Sequence, residues 1–182
     1  MRTLRYAAIG FLLGSMWMIA ARVWMRLIST EPEFTWSGTL RIVGAAALIG
    51  TALGVVQAAR RRGASPRWRM LALVGLVIFN SQGAVLLPAA VLGGWGLRRG
   101  TAGRVVAGIG ILSAPILLVV LMWDFVNTHL MPYPDTVYRA VLAAGGLLFG
   151  GTAAWASSIA LGPWRDGAAT AVESDEAAAI AA

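Results

Sequence analysis

Residues 70–97 read MLALVGLVIFNSQGAVLLPAAVLGGWGL. The run carries no charge, and it is too long for one upright helical crossing of a bilayer, which takes roughly 17–25 residues, and too short for two. Its middle holds Asn80, Ser81, Gln82 and Gly83, with Pro88 soon after. Polar side chains and helix-weakening residues thus fall where a straight span would lie deepest in lipid, a costly place for unpaired polar groups. Two readings follow: a tilted or kinked single span, or two half-helices that enter and leave on one side.

Outward from this run, the chain shows four more apolar segments. They cover residues 6–28, 42–59, 105–123 and about 140–161, each of a length that crosses once. In the first, Arg2 and Arg5 precede the apolar run and Ala20-Ala21 resembles a cleavage point, so a signal peptide is an alternative. The apolar character resumes at Val23-Trp24-Met25, which favours a continuing span. The expected fold is therefore all-α, a polytopic transmembrane helical bundle of about five hydrophobic segments, the third re-entrant or kinked. Residues 1–165 make the transmembrane domain. Residues 166–182, Ala-rich with Glu173, Asp175 and Glu176, have too little apolar bulk to fold alone and read as a disordered tail.

Arginine placement bears on the third run, because cytoplasmic loops are enriched in basic residues. If the run crosses, the arginines divide almost evenly between the two sides. If it re-enters, Arg98, Arg99, Arg104 and Arg165 join Arg2, Arg5 and the five of residues 60–69 on one side, leaving Arg22, Arg26, Arg41 and Arg139 on the other. That bias favours re-entry and a cytoplasmic N-terminus in a bacterial plasma membrane; the rule is statistical, and the straight span stays open. Trp24, Trp36, Trp68, Trp95, Trp123 and Trp164 all fall near predicted span ends, as interfacial aromatic rings do.

Composition agrees and closes much of the enzyme menu. Apolar residues make up 58% of the 182-residue chain and charged ones 13%, about half the charge of a soluble domain. All 15 basic residues are arginine, a bias a GC-rich genome produces; without lysine there is no Schiff base and no Walker A loop. Cysteine is absent and His129 is the one histidine, which removes disulfides, thiol catalysis and Cys-zinc sites and weakens any metal reading. No cofactor or metal is called for, and no GxSxG or HExxH motif occurs. Apart from Asp124 beside a span end, the acidic residues fall in loops or the tail, which weighs against a proton or sodium pump.

Small residues recur at four-residue spacing, which keeps them near one helix face. Gly10 and Gly14 lie in the first span, Ala46, Gly50, Gly54 and Ala58 in the second, and Gly146, Gly150, Ala154, Ser158 and Gly162 in the fifth. Lipid tails are as apolar as leucine, so close packing through small residues drives helices together. These are expected seams, within the chain or toward a homo-oligomer or membrane protein partner.

Polar constellations offer three candidate sites. Arg22 and Arg26 stand one turn apart near the first span's end, and such a pair can grip an anionic headgroup or solute; snorkelling, or pairing with Glu31 and Glu33, is the simpler and favoured explanation. Asn80, Ser81 and Gln82 line a solute path on one reading and bond neighbouring helices on the other. Asp124, Asn127, His129 and Asp135 share a loop with Pro132 and Pro134, which looks more like a constrained connector whose Asp135 caps the fifth span. Thr30 to Glu33 fits a capping box, and Thr35 or Ser37 suits the start of the second span. The basic loop from Arg60 to Arg69 reads as a topology determinant touching anionic lipid, not as a nucleic-acid site.

The stretch Ala21-Arg22-Val23-Trp24-Met25-Arg26-Leu27-Ile28-Ser29, followed by Pro32-Glu33-Phe34-Thr35-Trp36-Ser37-Gly38-Thr39, resembles a block in uncharacterised polytopic membrane proteins of actinobacteria and related prokaryotes. It covers about a tenth of the chain. The resemblance implies a membrane location and brings neither an activity nor catalytic residues. The expected function is a non-catalytic structural or accessory membrane subunit; the alternative is a small permease or channel-like protein for a small, anionic solute.

Overall fold

The computed structural model describes residues 2–29, 35–73, 75, 84–121 and 134–164. Within them the regular structure is helical. Four helices are long and apolar enough to cross a membrane: α1 (Arg2–Ile28), α2 (Trp36–Arg61), α4 (Thr101–Leu121) and α5 (Asp135–Leu161). A shorter apolar helix, α3 (Ala84–Gly96), lies between them. This is an all-α bundle of the kind a multi-pass membrane protein builds. The tail beyond 165, the 122–133 connector and Asn80, Ser81 and Gln82 lie outside the described residues.

The helices extend a turn or more past the charge-free runs. α2 begins at Trp36 and ends at Arg61, because arginine is a good helix former and its long stem lets the charge leave the apolar layer. The capping expectations need correction. Thr35 is at the N-cap of α2, but its side chain makes no capping hydrogen bond. Pro134, not Asp135, is the N-cap of α5, and Asp135 sits inside the first turn. There a carboxylate still meets the positive end of the helix dipole.

The packing inverts the usual arrangement. Large apolar side chains face outward: Met16 is 66% exposed, Leu40 66% and Leu148 60%. The interior is mostly alanine, including Ala46, Ala58, Ala89, Ala107, Ala114 and Ala154. α1 and α2 run antiparallel with backbones almost touching. A Cβ on Gly10 would overlap the Gly50 carbonyl, one on Gly14 would lie 3.0 Å from the Ala46 carbonyl carbon, and one on Gly54 would lie 2.8 Å from that of Tyr6. Only small residues allow so close an approach.

α5 is the hub, packing on α1, α2, α3 and α4. Gly146 rests on Pro115 of α4, where an added Cβ would meet Pro115 Cα at 2.6 Å, and Gly150 faces Ala114. Pro115 sits inside α4 and removes one backbone donor there, so glycines on α5 fit against the altered turn. On its other flank α5 meets α1 through tryptophan. Trp17 Nε1 donates to Thr152 Oγ1 at 2.7 Å, and Trp24 Nε1 donates to the Val141 carbonyl at 3.1 Å. The Trp24 indole occupies the space a side chain at Gly145 would need. Phe149 fills the gap between the two indoles, with ring centroids 5.6 Å and 5.3 Å away. Both seams of small residues therefore lie between helices of this one chain.

Candidate functional site: the arginine-rich end and the broken third segment

The third apolar run starts as a 3₁₀ helix, Pro66–Ala72, opened by Ser65, whose hydroxyl accepts from the Arg67 amide at 3.4 Å. By Gly75 the chain lies against Ile49, near the midpoint of α2. The outgoing limb, α3, is irregular. It begins as a 3₁₀ turn, passes Pro88, widens into a π turn over Ala89–Gly93 and closes as one α turn. Leu86 packs on the cluster of Met18, Ala21, Ala46 and Phe149, again at mid-bundle. The Ser157 hydroxyl of α5 lies 2.6 Å from the Ala90 carbonyl, supplying a partner to backbone that the π turn reorganises.

Contacts of α3 then climb α5 in step. A Cβ on Gly150 would touch Ala89, Gly93 packs on Ala154, Gly94 on Ser157, and Arg98 Nε donates to Ser158 Oγ at 3.0 Å. Arg60, at the end of α2, reaches the same place. Its Nη1 donates to the carbonyls of Ser158 at 3.4 Å and Ile159 at 3.2 Å, and its Nη2 to that of Pro163. The chain thus enters the third run at the end of the bundle where it leaves it. Among the described residues, both limbs of the third run therefore lie toward the same end of the bundle.

This end gathers charge. α1 begins here, since Arg61 stacks over Tyr6 at 5.4 Å; α2 and α5 end here, and α4 begins here. Arg69 lies over the Trp164 ring at 5.2 Å and Arg99 over Trp95 at 4.0 Å, while Trp164 Nε1 donates to the Ala64 carbonyl at 2.8 Å. Guanidinium groups stacked on rings keep their N–H edges for other partners. Arg60 also completes the carbonyls that end α5, where a cation meets the negative end of the helix dipole. Sequence reasoning missed this role, because Arg60 reads only as one of a basic run. Arg98 on buried Ser158 was equally silent, although Ser158 belonged to the recognised small-residue seam.

Arg22 and Arg26 lie at the opposite end. Arg22 Nη2 donates to Thr39 Oγ1 at 3.3 Å, which ties α1 to α2, and Arg26 sits in the last turn of α1, favourable for a cation. The structure brings neither near the third segment. Beside them a small apolar cleft lies between α1 and α5, lined by Leu27, Val137, Tyr138 and Val141. The Tyr138 hydroxyl is already used, donating to the Ile28 carbonyl at 3.1 Å. Among the described residues no group of His, Asp or Glu side chains could hold a metal ion. No family model, no curated protein and no solved structure matches the chain.

Proposed function

We propose that this chain is a non-catalytic accessory or structural subunit of a bacterial plasma membrane. It sits with its arginine-rich end in the cytoplasm and contacts anionic lipid through the Arg60 to Arg69 loop. One observation carries the reading. Three polar side chains at membrane depth join one helix to another: Trp17 to Thr152, Trp24 to Val141 and Ser157 to Ala90. Such bonds fix a bundle and leave its groups committed. The clustering of arginines at one end supports the cytoplasmic orientation through the positive-inside rule. The resemblance to uncharacterised actinobacterial membrane proteins, carried by residues 21–29 and 32–39, fits the same membrane reading.

A second reading draws on the re-entrant segment, whose limbs both reach mid-bundle. In a small permease, Asn80, Ser81 and Gln82 would line a path and Arg22 and Arg26 would select an anion. Flux of small anions from proteoliposomes separates the two. An accessory subunit gives vesicles no leakier than protein-free ones. Flux that Asn80→Leu or Gln82→Leu abolishes would overturn the first reading in favour of the second.

A further inference from the structure

Three arginines from three parts of the chain surround the end of α5. Arg60 comes from α2, Arg69 from the 3₁₀ helix after it, and Arg98 from the turn after α3. Two of them converge on one point: a Cβ on Gly162 would lie 2.8 Å from Arg98 Cδ and 3.3 Å from Arg60 Nη1. Arg60 feels the like charge of both others. Arg69 is joined to the group through Trp164, whose ring it covers and whose neighbour Pro163 accepts from Arg60. Like charges held together cost energy, and the carbonyl end of α5, equivalent to roughly half a negative charge, offsets only part of it. Among the described residues the acidic one is Asp135, which begins α5 at the far end of the bundle.

Donors are also left over. Arg69 Nε is buried and has no hydrogen-bond partner. Arg98 spends Nε on Ser158, while its two terminal nitrogens have no hydrogen bond among the described residues. A buried charged donor without an acceptor is expensive, so its presence points to a missing acceptor. Arg60 already spends both terminal nitrogens on carbonyls and contributes charge, so the open donors are those of Arg69 and Arg98; two guanidinium groups beside a third positive charge exceed what one carboxylate can satisfy. A phosphate group offers more oxygens and more charge, and its geometry matches the fork.

We infer that Arg60, Arg69 and Arg98 form a binding site for one phosphate group at the C-terminal end of α5. The inference deepens the lipid-contact reading proposed above and rests on it: a defined site replaces a diffuse basic surface. The phosphate belongs either to the headgroup of an anionic phospholipid in the adjoining leaflet or to a soluble phosphorylated molecule.

Thermal unfolding of the full chain in neutral detergent tests this, with dioctanoyl phosphatidylglycerol, dioctanoyl phosphatidylcholine or inorganic phosphate added. The site requires that phosphatidylglycerol or inorganic phosphate raise the midpoint while phosphatidylcholine does not. Stabilisation by the lipid alone identifies a headgroup; stabilisation by inorganic phosphate identifies a soluble source. Arg69→Gln and Arg98→Gln should each weaken the apparent affinity about tenfold, the loss expected for one charge-assisted pair. Arg5→Gln, exposed near the start of α1 at the same end, should change it less than twofold. These two variants are preferred to Arg60→Gln, which also removes the carbonyl caps of α5. If Arg5→Gln weakens binding as much as the other two, the contact is diffuse: the site is wrong, and the basic-end lipid contact stands. If the wild-type chain responds to neither probe, or responds only after Asp166→Asn, the site is wrong for the intact protein; in the first case the lipid contact falls with it.

Discussion

The α1–α2 seam makes a demand that two glycines of one helix can test. Gly50 and Gly44 are both in α2, but a Cβ on Gly50 would overlap the Gly10 carbonyl oxygen and lie 2.9 Å from its carbon and 3.1 Å from Gly14 Cα, whereas a Cβ on Gly44 would meet nothing within 4 Å. Ordinary contact begins near 3.4 Å, so Gly50→Ala forces two backbones apart by on the order of 1 Å. A gap of that size forfeits roughly a quarter to a half of each dispersion contact along the seam. Overpacking of this kind costs about 1–3 kcal/mol. Gly44→Ala carries no such cost and gains up to about 1 kcal/mol in helix propensity. The two variants therefore move in opposite directions, separated by at least about 1 kcal/mol. Reversible unfolding in mixed micelles, titrated with a denaturing detergent, reads both on one scale. Equal effects, or a Gly50→Ala chain as stable as wild type, would refute backbone contact as the basis of the seam.

Other expectations follow from the same contacts. Because the chain lacks cysteine, single Ser65→Cys, Thr101→Cys and Met131→Cys substitutions report sidedness: an impermeant maleimide should treat the first two alike and the third oppositely, and labelling of Thr101→Cys together with Met131→Cys would contradict the re-entrant geometry. Arg60→Gln should destabilise the bundle by about 1.5–3 kcal/mol, the range for hydrogen bonds to a charged group, with amide exchange rising first in the last turn of α5; unchanged exchange there would show that Arg60 caps nothing. Gly145→Ala should displace Trp24 and break its bond to Val141, shifting tryptophan emission, and the shift should vanish in a Trp24→Phe background. A double-mutant cycle on Trp17→Phe and Thr152→Val should return a coupling of about 0.6–1.7 kcal/mol; zero coupling would remove that bond from the account.

The membrane character of the fold was legible because charge-free length is a one-dimensional property, and 105–121 and 140–161 show it without reference to any neighbour. Helix ends were less legible. Arg60 and Arg61 belong to α2 in the structure although they end the apolar run, because the helix ends where carbonyl partners run out and not where hydropathy changes. The third segment was legible as an anomaly: Pro88 and the polar centre of the run announced a break, and the arginine balance pointed to re-entry. What no local pattern contains is the pairing across long stretches of chain. Trp17 bonds Thr152, Trp24 covers Gly145, and Arg60 reaches Ser158. Each residue type has an adequate solitary explanation in the sequence, as lipid-facing ring, seam glycine or topology charge, so nothing there singles it out. The arginine site is of the same kind, assembled from positions 60, 69 and 98 by the fold. Asn80, Ser81 and Gln82 remain defined by sequence alone, since they lie outside the described residues.

The irregular backbone of α3 has a consequence for how the chain is made. Its π turn and its glycines are matched to Ala154, Ser157 and Gly110, all of which are synthesised later. Backbone of this sort is tolerated at membrane depth only when protein surrounds it. While the ribosome is still producing α4, α3 has only part of those surroundings: Leu86 can meet α1 and α2, but Ala154 and Ser157 are not yet made. Assembly therefore has an enforced order. The α1–α2 hairpin can close as soon as it emerges, but α3 packs fully only once α5 arrives and supplies Ala154 and Ser157. A nascent chain stopped before Asp135 should accordingly leave Ala84–Gly96 open to aqueous reagents that cannot reach it in the finished protein. Of the described helices, the last to be made thus completes the packing around α3.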